Sequence, residues 1–341
     1  MIEKFIKNEE SLKKWDRFKS NKLAVLSLLI ILVSLFFSFT AEFWANSKPI
    51  YLKFRSKNYF PVFVNYHPSE FGENRTLVMN YRTLKLDKEG GDYILWSLIK
   101  WDPFESNKDV EVYPSEPSSD NWMGTDDRGR DILTRLLYGL RYSITFAVLV
   151  WLITFIVGTL VGGVMGYLGG RTDFWGQRIV EVLSTVPQFF LLIIIISIFQ
   201  PTLLLLVILS SLFGWISISY YVRGEYLKNR KKEFVEAARA LGAGNTRIFF
   251  KHLLPNSLSP IITFSPFVIA GNITALASLD YLGFGLTPPT PSWGELLNQA
   301  QKHFTEGWWL AAYPSLALFL TLTMLSLVGE GVRDAMDPKE S

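Results

Sequence analysis

Long uncharged apolar runs constrain this chain more than any other feature. A hydrocarbon core about 30 Å thick is crossed by about 20 helical residues, and a charge at the centre of such a helix costs about 2.5 to 3.5 kcal/mol. Uncharged stretches near that length run from Leu23 to Phe39, Ser143 to Tyr167, Thr202 to Val222, Leu258 to Leu279 and Trp308 to Val328. One more, Val180 to Phe199, holds only Glu181 at its edge and Pro187 inside. The runs predict an all-helical membrane protein with about six spans. The first follows a basic leader, is too long and too rich in Leu, Ile and Phe for a signal-peptide core, and lacks a small-residue cleavage pattern, so it reads as an uncleaved anchor.

Basic residues in short loops set orientation. Lys4, Lys7, Lys13, Lys14, Arg17, Lys19 and Lys22 precede the first span. Arg223, Lys228, Arg230, Lys231, Lys232, Arg239, Arg247 and Lys251 separate the fourth from the fifth, whereas the loop between the fifth and sixth carries only Lys302. An even number of spans then places both termini in the cytoplasm and the chain in the inner (plasma) membrane. Basic residues between Glu42 and Ser143 do not oppose this, because long exported segments translocate largely regardless of charge. The formal net charge is only +3, and the basic clusters border spans. Contact with membrane lipid accounts for them, and no nucleic acid partner is expected. The absence of cysteine excludes disulfides and thiolate chemistry. His67, His252 and His303 are dispersed, and no Gly-x-x-x-x-Gly-Lys-Ser/Thr loop occurs, so neither a metal, nor a cofactor, nor ATP held directly by this chain is expected.

Between the first two spans lies a segment of Tyr, Trp, Pro and charge, expected to fold as an extracytoplasmic insert. Tyr59 to Tyr66 and Tyr93 to Trp101 read as short strands or extended pieces, and Pro114, Pro117 and neighbouring serines as a linker. Within Met123 to Tyr142, apolar Ile132, Leu133, Leu136, Leu137 and Leu140 recur at helical spacing, which predicts an amphipathic helix on the membrane surface with Thr125 or Asp126 capping its start. Asp126, Asp127, Arg128 and Asp131 are expected to form ion pairs there rather than catalyse, since no nucleophile and base accompany them. Asn74-Arg75-Thr76 matches a glycosylation acceptor, but so short a match carries no argument. Gly158, Gly162, Gly166 and Gly170 recur every fourth residue and favour close helix packing. Pro187, Pro260 and Pro266 should bend or interrupt their helices.

The loop after the fourth span reads Glu236-Ala237-Ala238-Arg239-Ala240-Leu241-Gly242, then nine residues, then His252-Leu253-Leu254-Pro255-Asn256. A basic loop so rich in alanine is expected to fold. Lys231 to Leu241 has strong helix formers, with Glu236 spaced to pair with Lys232 or Arg239. Gly242 supplies a left-handed turn, Asn245 or Thr246 a second helix start, and Pro255 the beginning of the fifth span. The product is a helix-turn-helix with a small-residue face that another protein can approach closely.

This segment resembles the EAA loop of ATP-binding cassette importer permeases. Gly124-Thr125-Asp126 with Gly129-Arg130-Asp131, Arg135 to Gly139, Tyr167 with Gly169-Gly170 and Asp173, Leu279 to Gly285, and Pro291-Ser292-Trp293-Gly294 are similar to the second permease of dipeptide and oligopeptide importers. The insert, with Tyr59-Phe60-Pro61 and Tyr113-Pro114-Ser115, is similar to the microcin C and oligopeptide subgroup. Met123 stands where Leu is usual, and His252 where many importers outside the peptide group have Ile. The resemblance implies a type I importer permease fold and a non-catalytic transport subunit. Its implied partners are a second permease, ATP-binding cassette ATPase subunits, an extracytoplasmic solute-binding protein and a peptide substrate. Glu236, Ala237, Ala238, Gly242, Leu254 and Pro255 take the ATPase-docking positions.

The expected organisation is an N-terminus with the first span (1–40), the insert (41–141), a five-span core (142–332) with its coupling loop at about 223–256, and a cytoplasmic tail (333–341). Polar groups in a bilayer should face protein or water, which makes Glu181, Ser184, Gln188, Asn272 and Thr274 candidate pathway residues, with snorkelling at the interface the alternative for Glu181 and helix-to-helix hydrogen bonding for the other four. Two rival readings are an ion-coupled secondary transporter and a membrane-anchored sensor acting through the insert.

Overall fold

A backbone in lipid satisfies its polar groups within helices, and helices dominate the computed structural model, which describes residues 9–73, 79–87 and 89–336. Lys4, Lys7, Asn74-Arg75-Thr76 and the tail beyond Met336 lie outside these residues. The chain divides into two compact units. One comprises the N-terminal residues through Leu32, Ser143–Thr287 and the C-terminal residues from Leu318; the other comprises Val33–Tyr142 and Pro288–Ala317.

The helices that contribute to the first unit, α2, α4 and α13 only in part, are α1 (Glu9–Ser20), α2 (Lys22–Phe39), α4 (Ile132–Leu168), α5 (Gly170–Ser184), α6 (Gln188–Ile198), α7 (Leu203–Asn229), α11 (Ser259–Tyr281) and α13 (Trp308–Met336). Among the described residues, α2, α4, α7, α11 and α13 are each long and apolar enough to cross a membrane. The expected third span is a broken one. Instead of a single helix over Val180 to Phe199, α5 and α6 meet at a 64° bend, and counting the pair as one span gives six. Pro187, which has no N–H to offer the preceding turn, stands at the start of α6.

The glycine stripe packs α4 onto α7 backbone to backbone. A Cβ at Gly158 would lie 2.7 Å from Ile218 Cβ, one at Gly166 2.6 Å from Tyr226 Cβ, and one at Gly162 would run into the Ser219 backbone. Gly170 does not belong to the stripe. It lies past the end of α4 with φ +53°, and nothing stands within 4 Å of a Cβ placed there. At the chain ends, Phe18 and Ala24 pack with Val332 and Ala335, and Gly331 leaves room for Ala24, so α1, the start of α2 and the end of α13 adjoin.

In the second unit, α3 (Ala41–Trp44) precedes a three-stranded antiparallel sheet ordered β2-β1-β3, with β1 Tyr51–Phe54, β2 Lys57–Tyr59 and β3 Tyr93–Leu95. The first strand expectation was misplaced, since Tyr59 ends a strand, and the second shortens to Tyr93–Leu95. The sheet covers an aromatic core in which Phe71 meets Tyr59, Tyr81 and Phe54 at ring centroid distances of 4.9, 5.6 and 5.7 Å. Burial there pushes the Tyr81 phenol up to about 12.

A cluster of buried charges organises the rest of this unit. Asp126 accepts from Arg130 Nε at 2.7 Å, and its Oδ2 lies 3.5 Å from Arg135 Nε. Arg130 reaches Glu295 at 3.1 Å, and Arg135 also pairs with Glu295. Glu295 belongs to α12 (Trp293–Lys302). Burial pushes the Asp127 and Asp131 carboxyls upward. The expected surface helix over Met123 to Tyr142 is therefore absent: 123–131 is a knot of turns, α4 begins at Ile132, and its first turns are buried in protein. Asp131 makes the cap in place of Thr125 or Asp126, accepting from the Thr134 N–H at 2.8 Å. Thr125 O instead accepts from Trp309 Nε1 at 3.1 Å, and Leu136 O from Trp293 Nε1 at 2.9 Å.

Gly162→Leu overpacks the α4–α7 contact and is expected to cost about 1 to 3 kcal/mol or more, read as lower detergent-solubilised melting temperature, whereas Gly271→Ala, at a position with nothing within 4 Å, leaves it unchanged. Asp126→Ala leaves two buried guanidinium groups sharing the Glu295 carboxylate and is expected to destabilise the second unit by about 3 to 5 kcal/mol, read as faster proteolysis within the insert.

Candidate functional site

The segment between α7 and α11 folds as a hairpin. After Asn229 the chain turns through Arg230 to Lys232 into α8 (Glu233–Ala240), reverses at Leu241 to Gly244, and returns through α9 (Asn245–Arg247), a π-helical stretch Ile248–Leu253 and α10 (Leu254–Ser257). Alanine and glutamate favour α8, although it is shorter than the expected Lys231 to Leu241. Gly242 terminates it at φ +81°, with the Ala243 N–H reaching Ala238 O at 3.0 Å and the Gly242 N–H reaching Arg239 O at 2.9 Å. This closure of the last carbonyls requires the left-handed conformation that glycine adopts without strain.

The two faces of α8 differ. Val235 and Ala238, three residues apart, are buried and face inward. Val235 joins a core of Ile218, Val222, Tyr226, Ile248, Phe249, Leu253 and Ile261. Leu254 packs partly against the same core, and His252 is half-buried. Glu236, Ala237, Gly242 and Pro255 are exposed. The proposed pairing of Glu236 with Lys232 or Arg239 does not form: among the described residues none of the three makes an ion pair within 4.0 Å, so the Glu236 carboxylate faces outward. Leu241, which the motif spacing did not single out, is 89% exposed at the tip. The signal for it was an apolar residue placed directly before the helix-ending glycine, where it gains no intramolecular burial.

The hairpin is joined to the helices beneath it by side chains as well as by the chain itself. Asn229 Nδ2 donates to Ser257 Oγ at 3.2 Å, bridging its two feet. Tyr226 Oη donates to Phe249 O at 3.4 Å, and Tyr167 Oη to Asn245 Oδ1 at 2.8 Å. Arg230 Nη1 donates to the carbonyls of Gly166 and Tyr167 at 3.2 and 3.1 Å.

Of the candidate pathway residues, two come together. Gln188 and Asn272 line a cavity of about 350 Å³ with Thr154, Phe189, Ser210 and Leu279 among its walls. Asn272 Nδ2 donates to Ala147 O at 3.1 Å and Gln188 Nε2 to Ser210 O at 3.3 Å. The other three lie elsewhere. Glu181 pairs with Arg178 at 2.7 Å, Ser184 Oγ donates to Glu181 O at 2.8 Å, and Thr274 Oγ1 donates to Ala270 O at 3.0 Å. Each is satisfied within its own helix. The Leu279 to Gly285 motif closes the end of α11: the Phe284 N–H returns to Leu279 O at 2.8 Å, and Asp280 Oδ1 accepts from the Leu286 N–H at 2.6 Å. Among the described residues no group of three or more His, Asp or Glu could hold a metal ion.

Among the described residues, five to six helices are long and apolar enough to span a membrane, and an alanine-rich hairpin joins two of them, which defines an integral membrane protein of the multi-pass class. Residues 158–341 match the binding-protein-dependent transport system inner membrane component, and residues 13–68 match the N-terminal transmembrane domain of oligopeptide transport permease C. The chain belongs to the binding-protein-dependent transport system inner membrane components, and is a multi-pass inner-membrane protein. It is 39% identical over 334 residues to the inner membrane ABC transporter permease protein YejE of Escherichia coli K12, covering 96% of this chain and 97% of that one. It is 35% identical to the peptidoglycan transport system permease protein YejE of Agrobacterium fabrum, with 96% and 93% covered. Identity to the oligopeptide transport system permease protein OppC of Bacillus subtilis is 30%, with 97% and 92% covered. A solved chain of the MetNI methionine ABC transporter in an inward facing conformation superposes with a TM-score of 0.51 at 17% identity, over 60% of this chain and 97% of that one. That likeness supports the type I importer permease fold.

Proposed function

We propose that this permease forms half of a heterodimeric translocation pore for peptides or peptide-like solutes, with a second permease as the other half. ATP-binding cassette subunits dock on the hairpin from the cytoplasm, and an extracytoplasmic solute-binding protein delivers the cargo. The observation that carries this reading is the division of labour across α8: Val235 is fused into the helical core, whereas Glu236, Ala237, Leu241 and Gly242 present an outward surface with an exposed apolar tip. A small-residue face with one protruding leucine suits insertion into a groove of another protein. The contact of α1 with the end of α13 agrees with both termini lying on one side. The peptide cargo rests on the relatives, which include oligopeptide and peptidoglycan permeases; within that class, the insert favours large peptide conjugates of the microcin C type.

In this mechanism, ATP draws the two nucleotide-binding subunits together, the docked hairpins follow, and the paired permeases exchange outward for inward access. The work is done by differential binding of the closed ATPase to one arrangement of the hairpins. This chain contributes no hydrolytic group to the step.

Because the chain has no cysteine, Leu241→Cys reports sidedness directly: a membrane-impermeant thiol reagent is expected to label it in inside-out vesicles and not in intact cells. Gly242→Val strains the left-handed turn by about 1 to 3 kcal/mol and is expected to abolish peptide uptake at constant permease abundance, as is Leu241→Asp. Undiminished uptake in both overturns the docking role. Competition among labelled oligopeptides, peptidoglycan-derived peptides and peptidyl-nucleotides in a strain lacking this gene identifies the cargo class.

A further inference from the structure

The motif Tyr167, Gly169-Gly170 and Asp173 occupies the junction between α4 and α5. Its geometry is that of a fastening. The last carbonyls of a helix lack intrahelical donors and attract cations, and here the guanidinium of Arg230 takes those of Gly166 and Tyr167 at 3.2 and 3.1 Å. Gly169, at φ +65°, leaves no room for a Cβ against that guanidinium. Gly170, at φ +53°, then turns the chain into α5, where Asp173 accepts from Arg223 Nη2 at 2.6 Å and pairs with its Nε as well. Arg223 in α7 and Arg230 at its C-terminal cap are seven residues apart, so they project from the same side and hold the turn at both ends. From the α4 side, Tyr167 Oη donates to Asn245 in the returning arm of the hairpin at 2.8 Å, and the Tyr167 ring meets Phe249 edge-on at 5.9 Å.

We infer that this turn is a clasp, with Tyr167, Arg230 and the Asp173–Arg223 pair as positioning residues that make α4 and α5 follow the hairpin. The inference rests on the docking role proposed above and specifies its path. By chain connectivity alone the hairpin pulls on α7 and α11; the clasp adds α4 through Tyr167 and Arg230, and α5 through Asp173. Displacement at the hairpin thereby reaches the bend between α5 and α6, beside the Gln188 wall of the cavity.

The test uses the whole importer, purified with its ATPase, partner permease and binding protein and reconstituted in vesicles. Tyr167→Phe and Asp173→Asn remove one hydroxyl and one charge, and the exchange Asp173→Arg with Arg223→Asp restores the pair in reverse. The expected result is unchanged copurification of the ATPase and unchanged basal ATP hydrolysis. Peptide delivered per ATP falls about fivefold or more in the single variants and recovers in the exchanged pair. Unchanged peptide per ATP in both single variants overturns the clasp and leaves the docking role standing. Parallel loss of hydrolysis and uptake, with their ratio preserved, also overturns it, because it marks a merely structural lesion. Failure of the unaltered chain to retain any ATPase overturns the docking role and the clasp together.

Discussion

The contact of α4 with α7 through Gly158, Gly162 and Gly166 is the constraint from which the rest of the first unit follows. In a bilayer no hydrophobic gain drives two apolar helices together, so association depends on close packing, and only glycine lets one backbone reach another. With α7 fixed against α4, the position of its last turn is fixed, and the hairpin begins there. Val235, Ile248, Phe249 and Leu253 extend the same packing past the end of α7, continuing the core rather than starting a separate one. A hairpin so rooted can be pushed without folding up on itself, which is the mechanical property a docking element requires.

The second unit solves a different problem. Its three strands are 4, 3 and 3 residues long, so the sheet alone offers only a small apolar face. The unit relies on an aromatic cluster around Phe71 and on the buried ions Asp126, Arg130, Arg135 and Glu295. Buried pairs of this kind add little net stability, but removing one partner is costly, and here they join 123–135 to the start of α12. The motif residues around them read as structure: Gly124 makes room for Trp309, and Gly129 for Tyr113.

Much of this was legible in the sequence, and the failures have physical causes. Spans were visible because lipid demands long uncharged stretches, and α8 with its Gly242 stop was visible because alanine spacing and a helix-ending glycine are local signals. The break at Pro187 was foreseen as an interruption but not as a 64° bend, since a proline inside an apolar run does not state its angle. The periodic Ile132 to Leu140 was read as a surface helix because periodicity reports an apolar face without saying whether lipid or protein covers it. Gly170 fitted a four-residue period by arithmetic alone, two residues after α4 had ended. Tyr167, Arg230 and Asp173 meet partners 50 to 78 residues away, and no local pattern announces such pairs. The same holds for Leu52, Phe71 and Tyr81, whose packing appears only once the strands are registered.

The elbow between α5 and α6 carries a consequence for hydration. Ser184, Thr185 and Pro187 are exposed there, and the Thr185 and Val186 N–H groups reach the carbonyls of Val182 and Leu183, each three residues back, at 3.3 Å. Loosely bonded, uncovered backbone at membrane depth is intolerable to acyl chains. An elbow of this kind suits water or another protein surface better than it suits acyl chains.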